Sequence, residues 1–150
     1  MYPADADARA QVDFLLCWDA GTLYPALSDA VYPEIGFKEK TDKHEANTKK
    51  FQETLKFLND HLIKGPYMSG ANMTIADIST AMSLSMLTLM EHSLYDNCEN
   101  ITSWLAKIES EPFYKEVDLA FQAVKAELAN ASKEAVVDAM KERQKKVTSF

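Results

Sequence analysis

Few residues in this 150-residue chain stand in a pattern that implies chemistry. The most definite is the run Thr74-Ile75-Ala76-Asp77, which opens a largely apolar stretch. A lone carboxylate in such a place can serve as a general acid or base. Three residues after a threonine it has a mechanical role first. As an N-cap, Thr74 can accept a hydrogen bond from the Asp77 amide through its hydroxyl, while the Asp77 carboxylate reaches back to the Thr74 amide. Together they form the Asp variant of a capping box. Met73 and Ile78 take the staple positions around it. Because the following helix is apolar, its first amides are buried, and each would cost about 1–3 kcal/mol without a partner. The pair Thr74 and Asp77 therefore reads as structural.

No other chemistry is signalled by spacing. His44, His61 and His92 lack metal-ligand intervals, and Cys17 and Cys98 lie far apart, so no metal site is expected. No Ser-His-Asp set has support from sequence, and there is no glycine-rich phosphate loop.

Charge narrows the partners. The net charge is −7, from 16 basic and 23 acidic residues, which argues against nucleic acid, whose phosphates need clustered Lys and Arg. Lys141, Arg143, Lys145 and Lys146 form the sole basic cluster, diluted by Asp138 and Glu142. They read as cations in the last turns of a helix, where the macrodipole favours them. Two cysteines suggest no disulfide framework and fit a reducing compartment. Cys17, after Leu15 and Leu16, is expected to pack as a small hydrophobe. Asp5 and Asp7 occupy the start, unlike a basic-then-apolar leader. The most apolar run, Ile78 to Met90, is too short to span a bilayer. A cytoplasmic protein with no membrane span is expected.

The elements that must carry these residues are helices. Only four glycines and five prolines interrupt the chain, too few turn residues for an all-β fold. The first helix starts near Asp5, a good acceptor for first-turn amides, and runs through Ala8, Val12, Leu16, Leu23 and Leu27 on one face. Gly21 and Pro25 predict a bend between 21 and 25, and Pro33 and Gly36 end the segment. A second helix, after Thr41 or Asp42, buries Phe51, Leu55, Leu58 and Leu62 and exposes Lys49, Lys50, Glu53 and Lys56. A third, from Ile75 to about His92, is central. A fourth, Asn100 to Ser110, turns Trp104, Leu105 and Ile108 inward. Beyond Pro112, Phe113, Val117, Phe121, Val124 and Leu128 suggest a long helix, and a last amphipathic stretch from Ser132 carries Val136, Val137 and Met140. The fold class is an all-α helical bundle of one domain, residues 1–150.

Here a resemblance enters. Gly70, then Thr74-Ile75-Ala76-Asp77-Ile78 opening an apolar helix, resembles the capping-box motif of the glutathione transferase superfamily. Tyr2-Pro3-Ala4-Asp5, Arg9-Ala10-Gln11-Val12-Asp13 and Asp19-Ala20-Gly21-Thr22-Leu23-Tyr24 resemble the first helix of the C-terminal domain in the insect-type delta and epsilon classes. Trp104-Leu105 and Glu111-Pro112-Phe113-Tyr114-Lys115-Glu116 are similar to the penultimate helix and its connection. The resemblance covers about residues 2–125, and 126–150 form a helical tail beyond it.

The resemblance implies a glutathione transferase C-terminal domain without the thioredoxin-like half that binds glutathione and activates its thiol; Met1-Tyr2-Pro3 begin where that half's linker would end. Alone, the chain is then expected to lack catalytic residues and a cofactor, with glutathione relevant only if an N-terminal domain is supplied. The implied wall for a small hydrophobic ligand is Tyr24, Leu27, Val31, Tyr32 and Ile35, with Phe121 as a lid. Asp13 matches the carboxylate that in several classes reaches the glutathione amino group across a dimer, with Asp19 as the alternative. Otherwise both are solvated surface acids. Pro25 departs from the polar residue expected there. A homodimer or partner protein is expected over the surface the N-terminal domain vacates. The alternatives are a fragment of an active transferase conjugating glutathione to hydrophobic electrophiles, or an interaction domain of a larger assembly.

Overall fold

The computed structural model describes residues 1–34, 38–88 and 97–116, together with 119, 126 and 138. Among the described residues five α-helices follow in order: α1 (Ala6–Trp18), α2 (Tyr24–Val31), α3 (His44–His61), α4 (Ile75–Thr88) and α5 (Glu99–Glu109). No strand occurs among the described residues, and the only pairing of that kind is an isolated bridge between Tyr67 and Gly70. The all-α bundle expected from the sequence is the fold.

Asp5 caps α1 as its side chain suggests: its backbone is extended and its carboxylate accepts from the Ala8 amide at 2.9 Å. Between α1 and α2 the chain does not break. Asp19–Leu23 form a π-helical segment, in which the Tyr24 amide bonds back to the Asp19 carbonyl. The wider turn inserts one residue, and Pro25 then falls in the first turn of α2, where a missing amide is tolerated. Val12, Leu15, Leu23, Ala26, Leu27, Ala30 and Val31 line one continuous buried face along this bent rod.

α2 packs along α3, which presents Phe51, Leu55 and Leu58, with Leu62 just beyond. α4 lies between α1 and α5 and buries Ala76, Ala81, Leu84 and Leu87. α5 supplies Ile101, Trp104 and Ile108. Its own first amides are capped from α3. Asn59 Oδ1 accepts from Asn100 N–H at 3.0 Å and Ile101 N–H at 3.3 Å.

One expectation needs correction, and several fall outside the described residues. Cys17 is exposed, because it stands two residues, or about 200°, beyond Leu15 and so on the opposite side of α1 from the core. The long helix carrying Val117, Phe121, Val124 and Leu128, the stretch with Val136, Val137 and Met140, and the basic cluster Lys141 to Lys146 lie outside the described residues, as do Ile35, Gly36 and His92.

Candidate functional site

The first candidate group surrounds the start of α4. Asp77 is fully buried and accepts four hydrogen bonds. Its Oδ2 takes the Thr74 amide at 2.8 Å and the Thr74 hydroxyl at 3.0 Å. Its Oδ1 takes the Met68 amide at 2.8 Å and the Trp104 indole N–H at 2.9 Å. The Thr74 hydroxyl thus donates to the carboxylate instead of accepting from the Asp77 amide, which bonds to the Thr74 carbonyl at 3.1 Å. With both oxygens doubly occupied in the core, Asp77 has no lone pair turned to a substrate. Its chemistry is to hold three segments together.

The loop that brings Met68 there is shaped by its glycines. Tyr67 and Gly70 exchange amide and carbonyl bonds, both at 3.1 Å. Gly70 has φ of 116°, a value L side chains rarely adopt, and a Cβ on Gly65 would meet the Gly70 carbonyl oxygen at 3.0 Å. His61 donates from Nε2 to the Met68 carbonyl at 2.7 Å, so this strand of backbone is held from both sides.

The second group lies on the bent rod α1–α2. The hydroxyls of Tyr24 and Tyr32 are 2.8 Å apart, eight residues along one face, and Tyr24 is 42% exposed. Burial, then the hydrogen bond to Tyr24, pushes the Tyr32 phenol up to about 12, so it stays protonated. The Lys38 ammonium sits 5.8 Å from the centre of the Tyr32 ring and pairs with Asp29 at 2.7 Å. Of the expected ligand wall, Leu27 and Val31 do not belong to this surface. Both are closed into the core, since Leu27 continues the Leu23 face, whereas Tyr24 is exposed and Tyr32 is half-buried, its ring packed against the core. Ile35 and Phe121 lie outside the described residues.

The two acids of α1 separate sharply. Asp13 is exposed and accepts from the Tyr2 hydroxyl at 2.8 Å, a contact that raises the Tyr2 phenol. Asp19, expected at the surface, is only 3% exposed. Ser79 Oγ of α4 donates to its Oδ2 at 2.6 Å, and its buried Oδ1 finds no partner among the described residues. The sequence did contain a signal for this: the stripe Val12, Leu15, Asp19, Leu23 steps by three and four, which places Asp19 on the core face. Ser79, sixty positions away, had no such signal, and neither did Trp104 as a donor to Asp77.

A third feature was not anticipated. Phe14 and Phe57 are both exposed, and the Trp18 and Phe57 rings meet at 5.5 Å between centroids. His61 also stacks on Phe57, at 6.3 Å between centroids. No cluster of three or more potential metal ligands, and no helix long and apolar enough to cross a membrane, occurs among the described residues.

Comparison with known proteins gives this geometry a family. The family described as "Glutathione S-transferase, C-terminal domain" matches residues 24–116, more than half of the chain. This chain belongs to that family. Its fold is similar to a Nilaparvata lugens delta-class glutathione transferase, at 33% identity and a TM-score of 0.72, over 83% of this chain and 58% of that one. It is likewise similar to Bombyx mori glutathione transferase BmGSTD1, at 30% identity and a TM-score of 0.72, over 84% and 58%. The GST-like domain of elongation factor 1-gamma from Saccharomyces cerevisiae shares the fold, with a TM-score of 0.69 at 18% identity over 77% and 55%. The family match takes in α2 to α5. The chain spans less than two thirds of the length of these relatives.

Proposed function

We propose that this chain is the substrate-facing helical half of a glutathione transferase of delta or epsilon type, which binds a small hydrophobic molecule and does not conjugate glutathione on its own. The observation that supports this most is the joined phenol pair of Tyr24 and Tyr32 on the bent rod, one exposed and one half-buried. Apolar sites use a few fixed polar groups of this kind to orient a ligand. Ile35 and Phe121 complete the proposed site from sequence.

Conjugation requires a glutathione thiolate near neutral pH, and so a donor held beside the sulfur. Neither phenol of the pair fits that role, since Tyr24 and Tyr32 are engaged with each other, and the Asp77 carboxylate is sealed in the core. The thiol-activating residue belongs to a thioredoxin-like domain. With that domain, Asp13 is the proposed contact to glutathione across a dimer, being exposed, whereas Asp19 acts from within the fold. The exposed Phe14 and Phe57, beside Trp18, are the proposed surface for a second copy or a partner protein. The proposed location is cytoplasmic.

The 58% share of its relatives favours a second reading, in which the sequence is the C-terminal part of an active transferase. One assay tests the first reading. The purified chain, given glutathione and a generic aromatic electrophile, is expected to show no turnover above the uncatalysed rate while still binding an apolar fluorescent probe. Turnover that survives controls for host transferase would reject the non-catalytic reading, and absence of probe binding would reject the ligand site.

A further inference from the structure

Asp19 stands where the rod changes pitch, and its amide, carbonyl and carboxylate each hold a different segment. The amide closes α1 by donating to the Leu15 and Leu16 carbonyls. The carbonyl accepts from the Tyr24 amide across the π-helical segment. The carboxylate leaves the rod and accepts from Ser79 Oγ, in the second turn of α4, at 2.6 Å. Among the described residues it is the one charged side chain buried on the rod. Hydrogen bonds to a charged group are among the stronger ones in a protein. Ser79 is itself well placed as an anchor, two residues beyond Asp77 and its four hydrogen bonds.

The wide turn is stopped on one side by proline. Pro25 has no amide, so the π pattern cannot advance beyond the bond from Tyr24 to Asp19. Nothing in the local sequence stops it on the other side, where Tyr24 could return to the regular pattern and the turn slip back into α1. Such a slip rotates the residues it passes by about 100°, the step of one helical residue, and would carry Asp19 off Ser79. Beyond the turn, Leu27 and Val31 keep α2 in the core. A slip is therefore taken up at Tyr24, the first residue of α2, whose hydroxyl meets that of Tyr32 at 2.8 Å.

We propose that Asp19 and Ser79 are positioning residues for the Tyr24–Tyr32 pair: their hydrogen bond holds the wide turn in register and so sets where the Tyr24 phenol meets Tyr32. Pro25 and Asp19 then work as two stops, one covalent and one reaching across to α4. The effect on a ligand rests on the site proposed above, whereas the placing of the phenols does not depend on it.

NMR spectra of the whole chain, with an apolar fluorescent probe titrated in parallel, test this. Ser79→Ala and Asp19→Leu remove the bond from either side, and the milder Ser79→Ala decides alone if Asp19→Leu fails to fold. The Tyr24 amide and the Tyr24 and Tyr32 ring signals are expected to move, while the Trp104 indole N–H, which reports the α4 start, stays. Probe affinity should fall about tenfold, the scale of one displaced contact. Ser79→Thr and Asp19→Asn, which keep the donor and an acceptor, should restore both readings. Tyrosine signals that stay in place in Ser79→Ala would overturn the proposal. So would a Trp104 signal that moves with them, the mark of a general loss of packing, or conservative variants no better than the deletions. A wild type that binds no probe removes the ligand site alone, and the tyrosine signals still decide the positioning.

Discussion

Asp77 and Asp19 are both buried acids touching α4, and the bundle treats them in opposite ways. Asp77 uses both oxygens twice, on donors from α4, from the glycine-shaped loop and from α5. Asp19 has one oxygen on Ser79 and the other without a partner among the described residues, at the π-helical fault that leads into the Tyr24–Tyr32 face. A buried polar network with every group satisfied fixes a unique core, whereas a partly satisfied one marks a place kept for another purpose. The α4 start is such a satisfied network, and the bent rod carries the proposed ligand site.

The largest effect is expected at the satisfied end. Asp77→Ala strands the Met68 and Thr74 amides and the Trp104 indole in the core, for a loss of about 3–4 kcal/mol in denaturant melts. Thr74→Ala should cost about 1–2 kcal/mol, and the double variant should fall short of the sum, because the two residues serve one motif. Full additivity would mean that the network is not formed.

Leu27→Trp comes next. As a ligand wall, Leu27 would accept a larger side chain at little cost. As the core residue it is, with no exposed surface, it should be overpacked by about 1–3 kcal/mol. An unchanged melting curve would show an opening beside it.

Asp19→Asn is expected to cost clearly less than Asp77→Ala, since the Ser79 bond survives and the other oxygen has no described partner to lose. A loss approaching that of Asp77→Ala would erase the contrast between the two acids.

The smallest effect concerns Glu34. Hydrogen bonds from Lys40 and then His44 hold its carboxyl below the ordinary value, so its contribution to stability is present above the unfolded value of 4.5 and is lost as the pH falls through the lowered one. Acid melts of Glu34→Gln should therefore lack a slight destabilisation that the wild type shows below about pH 4.5, and high salt should shrink it further.

How far the sequence foretold this contrast depends on distance along the chain. Helix limits, the Asp5 cap, the fault at Gly21 to Pro25 and the Thr74–Asp77 pair are local, and periodicity and cap chemistry act over a few residues. The donors that complete Asp77 are not local: Trp104 is 27 positions away and the Met68 amide depends on a loop with Gly70 at positive φ. Asp19 was readable from its place on the Val12–Leu23 stripe, but its charge outweighed its position in the expectation of a surface acid. The resemblance groups Leu27 and Val31 with Tyr24 and Tyr32, and only the packing in three dimensions separates the two closed aliphatic side chains from the exposed Tyr24 and the half-buried Tyr32.

The most direct test of this division is a paired measurement on Tyr24→Ala and Thr74→Ala, reading stability in urea and affinity for an apolar fluorescent probe in the same samples. Tyr24→Ala is expected to weaken saturable probe binding about tenfold, as expected when a contact of about 1.4 kcal/mol is removed, with almost no change in the melt. Thr74→Ala should do the reverse, losing stability at unchanged affinity. If affinity and stability fall together in both variants, or if the wild type binds no probe at one saturable site, the two ends of the domain do not divide structure from function.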